Sequence, residues 1–122
     1  MAKTIRSYRE LTVWQEGMEL AEACYRLTQA FPREEAYGLT AQIRRAAASI
    51  PANIAEGYGR GSRKTYMQFL FVAQGSLKET ETHLLLAERV GAAPPGSTAE
   101  LLERCDRLGR RMTSLIRSLR TS

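Results

Sequence analysis

Apolar residues recur at intervals of three and four along four stretches of the chain, and this spacing predicts four amphipathic helices. The stretches run from about Arg9 to Ala30, from about Glu35 to Tyr58, from Ser62 to about Val90, and from Ser97 or Thr98 toward the end of the sequence. No stretch alternates apolar and polar residues with a period of two, so no strand is predicted. Four such helices joined by short loops indicate an all-α fold, an antiparallel up-down four-helix bundle that forms a single domain over residues 1–122.

The first predicted helix has apolar residues on two adjoining rows, so its apolar face is wider than one bundle requires. One row consists of Leu11, Trp14, Met18, Ala21 and Tyr25, and the other of Val13, Leu20, Cys24, Leu27 and Phe31. In the third helix, Phe71 and Leu85 lie off the main apolar seam, on the side of Gly75. Both features predict contact with a second subunit.

A polar row accompanies the apolar seam of the second predicted helix at the same helical spacing. Its members are Gln42, Arg45, Ser49, Asn53 and Glu56. Polar groups at core-like positions need partners, because burying one unpaired costs about 1–3 kcal/mol. Two interpretations stay open: a network within or between subunits that fixes the register of the helices, or a polar pocket or central channel that these residues line.

Pro51 lies inside the same predicted helix. An interior proline costs about 3 kcal/mol, because it lacks an N–H and its ring meets the preceding turn. The apolar pattern resumes in phase after Pro51. We therefore expect a continuous helix with a kink near this residue.

Composition places the chain among ordinary globular proteins, with 122 residues, 43% hydrophobic and 25% charged. The two cysteines, Cys24 and Cys105, stand far apart in sequence and form no CxxC motif, which suits a reducing cytoplasm. Residues 1–6 have no apolar segment of a signal peptide, and no apolar run approaches the roughly 20 residues of a membrane-spanning helix. We expect a cytoplasmic protein without membrane association.

Catalytic and metal-binding constellations find little support in the sequence. A di-iron site in a helical bundle needs two Glu-x-x-His pairs, but the chain has one histidine, His83, and Thr80 stands three residues before it. Gly57, Gly59 and Gly61 follow a helix rather than a strand, so they predict a helix end and a tight turn rather than a phosphate loop. We expect no catalytic residue, no metal and no cofactor.

Charge points to an anionic partner. The chain carries 18 Lys and Arg against 13 Asp and Glu, and the whole excess of five lies from Arg60 onward. Arginine forks match phosphate oxygens, so arginine-rich surfaces are candidate backbone-binding sites for nucleic acid, although a solvated helix face has the same pattern. The candidate nucleic-acid-binding residues are Arg44, Arg45, Arg60, Arg63, Lys64, Arg107, Arg110 and Arg111.

Several segments together resemble a known protein family. These are Leu11-Thr12-Val13-Trp14-Gln15, the stretch from Gly38 to Ala46, the run Ser49-Ile50-Pro51-Ala52-Asn53-Ile54-Ala55-Glu56-Gly57, and Phe69-Leu70, Ala73, Gly75-Ser76-Leu77 and Glu79. The chain is similar over nearly its whole length to small bacterial four-helix-bundle proteins related to those encoded by intervening sequences in 23S ribosomal RNA genes. The accessory variability determinant of diversity-generating retroelements belongs to the same family.

The resemblance implies a non-enzymatic homo-oligomer, a pentamer in which five bundles form a ring around a pore. It also implies partners, since the retroelement relatives bind a reverse transcriptase and nucleic acid through a basic surface. We therefore expect an oligomeric nucleic-acid-binding or accessory protein that contacts RNA or DNA phosphates through arginines. The alternative is an interaction scaffold whose partner is another protein, with no nucleic-acid role.

Overall fold

Four α-helices account for most of the computed structural model, which describes residues 5–121. They are α1 (Thr12–Thr28), α2 (Leu39–Gly59), α3 (Arg63–Arg89) and α4 (Ala99–Thr121). Short 3-10 helices precede α1 at Tyr8–Glu10 and α2 at Arg33–Glu35. The described residues contain no strand, which confirms the all-α prediction. Residues 1–4, which the signal-peptide and domain predictions include, and residue 122 lie outside the described residues.

The helix boundaries differ from the predicted ones where a short 3-10 helix intervenes. Helix α1 begins at Thr12 rather than Arg9, because Tyr8–Glu10 forms its own turn and Leu11 is extended. Helix α2 begins at Leu39 for the same reason, after Arg33–Glu35. The predicted start of α3 at Ser62 agrees with the structure, in which the Ser62 hydroxyl caps the helix by accepting a hydrogen bond from the Thr65 N–H at 3.2 Å.

Consecutive helices pack side by side in opposite directions, and α1 also packs on α4. Near mid-length, Ser49 of α2 meets Ser76 of α3, and Gln74 of α3 meets Thr113 of α4. The ion pair between Glu16 of α1 and Arg111 of α4 lies at a similar level. Within residues 5–121 the diagonal pairs, α1 with α3 and α2 with α4, make no backbone approach. This is the neighbour order of an up-down bundle.

All four helices contribute to one apolar core. Its largest fully buried side chains include Leu20, Ile43, Ile50, Ile54, Leu70, Leu77, Leu84, Leu108 and Met112. The second apolar row of α1 enters this core, whereas Met18 and Tyr25 of the first row are 40% and 45% exposed. Helix α1 therefore presents apolar surface outside its own bundle, as its double row predicted.

Close packing between α2 and its neighbours occurs at Gly57, against α3, and at Pro51, against Gly17 of α1. The helix is continuous through buried Pro51, as predicted, and the kink stays a prediction. A Cβ added to Gly57 would lie 2.5 Å from the Phe69 Cβ of α3. The prediction of a helix end was right for Gly61, which follows α2 with φ +79°. It was wrong for Gly57, which lies inside α2; a glycine is needed there because Phe69 leaves no room for a side chain.

None of the four helices in the described part of the chain has the length and hydrophobicity of a bilayer-spanning segment.

Candidate nucleic-acid interface

Charged side chains are segregated along the bundle axis. We call the terminal half the part in which α1 and α3 begin and α2 and α4 end, made of residues 5–16, 51–75 and 110–121. Among the described residues it holds nine basic and three acidic side chains, an excess of six positive charges. The opposite half holds eight basic and ten acidic side chains, an excess of two negative charges. The antiparallel topology therefore concentrates the positive charge at one end.

The turn between α2 and α3 supplies one basic group of the terminal half. Arg60 Nη2 lies 2.6 Å from Glu56 Oε2, and the Arg60 guanidinium stands 5.3 Å from the centre of the Phe69 ring. Arg63 and Lys64 follow at the start of α3, where both side chains are exposed. The three predicted cations of this turn are thus brought together on the surface.

Helix α4 supplies the second basic group. Arg110 Nη1 pairs with Asp106 Oδ2 at 2.6 Å, and Arg111 Nε pairs with Glu16 Oε1 at 3.0 Å. These arginines are 69% and 57% exposed, and such ion pairs contribute about 0–1 kcal/mol in water, so a phosphate can compete for them. Arg107 is exposed one turn earlier, and no carboxylate among the described residues pairs with it.

Two grooves flank α4 and share Arg110 and Ser114. The α1–α4 groove has a volume of about 640 Å³ and is lined by Ile5, Glu10, Leu11, Thr12, Val13, Arg107, Arg110, Arg111, Ser114 and Leu115. The α3–α4 groove has a volume of about 620 Å³, and its lining includes Lys78, Gly109, Thr113 and Arg117. Helix α4 is therefore a ridge of arginines between two concave surfaces.

Arg117 and Arg120 extend the α4 group, although the sequence did not single them out as site residues. The Arg120 guanidinium lies 5.4 Å from the centre of the Phe71 ring of α3. Arg60 contacts Phe69, which lies two residues before Phe71, so a cation from the turn between α2 and α3 and a cation from α4 both lie against aromatic rings of α3. Their helical spacing from Arg110 could have identified them, since positions three and four apart share a face.

Arg44 and Arg45 lie in the opposite half of the bundle, on α2, whereas five of the other six predicted cations lie in the terminal half and Arg107 lies one turn of α4 outside it. Arg44 Nε donates to Thr28 Oγ1 at 2.8 Å, and Arg44 Nη2 donates to the Tyr25 carbonyl at 3.3 Å. Its guanidinium also stands 4.6 Å from the centre of the Tyr25 ring. Because a cation here satisfies carbonyl oxygen at the end of α1, Arg44 has a structural role. Arg45 is exposed beside it.

The polar row of α2 does not form one connected network in the described chain. Ser49 Oγ donates to Ser76 Oγ of α3 at 2.5 Å, while Asn53 Nδ2 donates to the Ser49 carbonyl at 2.7 Å. Glu56 pairs with Arg60, and Gln42 and Arg45 are exposed. The contact that joins two helices is thus Ser49 to Ser76. A channel lined by this row concerns an assembly and stays a prediction.

The remaining titratable groups of the core are held in their neutral forms. Burial raises the pKa of the Cys24 thiol to about 12. Burial, and secondarily the proximity of Cys24, raises the pKa of Cys105 to about 12. Both are protonated near neutral pH and unsuited to act as nucleophiles, because the thiolate is the reactive form. Residues 5–121 contain no group of three or more His, Cys, Asp or Glu placed to hold a metal ion.

Large apolar side chains are exposed in two clusters on the outer face of α3, which we together call the α3 stripe. Phe71 and Val72 form the first cluster, and Leu85, Leu86 and Val90, the residue after α3, form the second; each is between 43% and 58% exposed. A shallow apolar groove on another side of the bundle, the α1–α2 groove, is lined mainly by Met18, Ala21, Tyr25, Ala48 and Pro51. The prediction that Phe71 and Leu85 lie off the core is confirmed.

Comparison with known proteins gives one family and one fold. A family profile described as 23S rRNA-intervening sequence protein matches residues 9–114. A crystal structure from Bacteroides thetaiotaomicron VPI-5482, of a protein with unknown function from the S23 ribosomal protein family, superposes with a TM-score of 0.79 at 24% identity. The superposition covers 86% of this chain and 98% of that chain, and at this identity it concerns the fold alone. No curated protein matches the chain.

Proposed function

The chain belongs to the family of 23S rRNA-intervening sequence proteins, and on this premise we propose that it is a non-catalytic, oligomeric nucleic-acid-binding or accessory protein. Its arginines and Lys64 contact phosphates at the terminal half of the bundle. By the resemblance stated above, a reverse transcriptase is a candidate protein partner, and a reverse transcriptase gene beside this one would favour that role.

The observation that carries the proposal is the excess of six positive charges in the terminal half. Exposed charges act over about 8 Å at physiological ionic strength, so cations gathered at one end reinforce one another more than cations spread over the surface. Neutralising phosphates releases counterions, and this gives affinity without reading bases. The arrangement supports contact with the phosphate backbone rather than recognition of a sequence.

Self-association into a ring of five subunits is the second part of the proposal. The α3 stripe and the α1–α2 groove lie on different sides of the bundle, so a contact between them on two copies is heterologous and can close into a ring. Clusters of exposed large apolar side chains are a feature of interaction surfaces. A ring repeats the basic terminal half around one assembly, and such repetition raises avidity for a long polyanion.

Fluorescence anisotropy with a labelled single-stranded oligonucleotide tests the nucleic-acid part. The affinity should fall steeply as the salt concentration rises. The double variant K64Q/R117Q removes two cations of the terminal half and should weaken binding by about tenfold or more. It should also reduce the steepness of the salt dependence by about 1.4, since each phosphate contact to a single strand contributes about 0.7 to that slope. The matched double variant R33Q/R89Q removes two exposed cations from the opposite half and should stay within about twofold of the wild type.

Absence of binding at low salt, binding that is indifferent to salt, or equal losses in the two double variants would refute the nucleic-acid part. Light scattering tests the ring independently. A mass near the 13.7 kDa of one chain would refute self-association and leave the α3 stripe for a different protein. That outcome would favour the interaction scaffold, the second candidate function.

A further inference from the structure

The α1–α4 groove differs from the rest of the basic surface because it is concave and joins cations to an apolar wall. Its volume of about 640 Å³ is within the roughly 300–1,000 Å³ of small-molecule sites. Arg107, Arg110 and Arg111 reach it from α4, and Leu11, Val13 and Leu115 supply its apolar part. A surface that served only to follow a phosphate backbone would not need this apolar wall.

The three arginines keep donors available for an anion. Arg110 is held by Asp106 through Nη1, and Arg111 is held by Glu16 through Nε, which leaves the other guanidinium nitrogens of each side chain outside these pairs. Arg107 pairs with no carboxylate of the described residues. Guanidinium groups bind phosphate oxygens through two parallel hydrogen bonds. Glu10, whose Oε2 accepts the Arg6 N–H at 3.0 Å, also lines the groove, so the lining carries three positive charges against one negative charge.

We infer that the α1–α4 groove binds one nucleoside monophosphate unit, with the phosphate on the three arginines and the base against Leu11, Val13 and Leu115. This inference rests on the proposed function and narrows it to a terminal nucleotide, because bases are exposed at single-stranded ends and stacked within a duplex. A terminal phosphate monoester carries a charge of about −1.5 to −2 at neutral pH. It therefore matches three guanidinium groups better than the single charge of an internal diester.

Titration calorimetry with uridine monophosphate, uridine and inorganic phosphate separates the two halves of the site. Uridine monophosphate should bind at least about tenfold more tightly than either fragment, since one good charged contact is worth about a factor of ten. Arg107→Gln should weaken uridine monophosphate by about tenfold, and the charge-matched Arg89→Gln, far from the groove, by less than twofold. Ser114→Phe fills the groove without changing charge and should abolish this binding.

Oligonucleotides with and without a 5′-phosphate identify the source of the nucleotide. Tighter binding of the phosphorylated strand, lost in Arg107→Gln, supports a strand end as the ligand. Equal binding of the two strands together with tight uridine monophosphate binding supports a free nucleotide. Equal affinity for uridine and its monophosphate, or equal effects of Arg107→Gln and Arg89→Gln, overturns the inference. The proposed function still stands in that case if oligonucleotide binding is salt-dependent. Failure of the wild type to bind any oligonucleotide overturns the proposed function alone.

Discussion

Replacing Gly57 by alanine tests how closely α2 and α3 pack at the basic end of the bundle. The added Cβ would stand 2.5 Å from the Phe69 Cβ and 3.3 Å from its Cγ. Two carbon atoms pack at about 3.5–4.0 Å, so the helices would have to separate by about 1–1.5 Å. The nearest neighbour atom is a Cβ, which cannot move away by changing rotamer.

Two opposing contributions determine how much Gly57→Ala changes the free energy of unfolding. Glycine inside a helix is about 1 kcal/mol less favourable than alanine, so the substitution gains that amount from helix propensity. Overpacking a close contact costs about 1–3 kcal/mol. Since a rigid approach of 2.5 Å belongs at the upper end of that range, we expect Gly57→Ala to lower the free energy of unfolding by about 1–2 kcal/mol.

Gly59→Ala is the matched control in the same helix. A Cβ at Gly59 would meet nothing within 4 Å, so this variant should be more stable than the wild type by a few tenths to about 1 kcal/mol. Urea unfolding followed by circular dichroism, at one fixed protein concentration because the chain is proposed to self-associate, compares the three proteins. If Gly57→Ala is as stable as Gly59→Ala, the close approach of α2 and α3 is refuted.

Three further predictions follow from individual contacts. The Thr98 hydroxyl and the Gly96 N–H donate to Glu88 and hold the pKa of its carboxyl below the ordinary 4.5. The stability that the charged carboxylate contributes is therefore present above pH 4.5 and is lost as the pH falls through the lowered pKa. Glu88→Gln should accordingly make the melting temperature depend less steeply on pH in the acid range. Arg44→Gln should lower the free energy of unfolding by about 1 kcal/mol, and a loss of RNA affinity as large as that of Lys64→Gln would contradict its structural role. Leu85→Glu should reduce the mass in light scattering, and an unchanged mass would exclude the α3 stripe from the interface.

The fold was predictable because each helix carries its own periodic signal. In an amphipathic helix the apolar face repeats every 3.6 residues whatever the rest of the chain does. Apolar residues at this spacing in α2, α3 and α4, such as Ile43, Leu77 and Leu108, are accordingly fully buried. The boundaries near Tyr8 and Arg33 were less predictable, since a 3-10 turn and an α-helical turn have similar sequence patterns.

The site was predictable only as a set of residue types. Arg44 and Arg60 look alike in the sequence, yet one satisfies carbonyl oxygen at the end of α1 and the other lies on the surface beside Phe69. Which of these roles an arginine has depends on what the neighbouring helix places within about 3 Å of it. The groups near an arginine belong to residues far apart from it in sequence, so a local sequence pattern does not predict its role.

The sequence by itself determined that the chain forms four amphipathic helices and that its positive excess lies from Arg60 onward. Only the tertiary structure decided where that charge is in space. Because the helices run antiparallel, the acidic parts of α3 and α4 fold to the opposite half, and Arg6, Arg9 and the ends of α2 and α4 meet at the terminal half. Charge density depends on distance through space, which the order of residues along the chain does not contain.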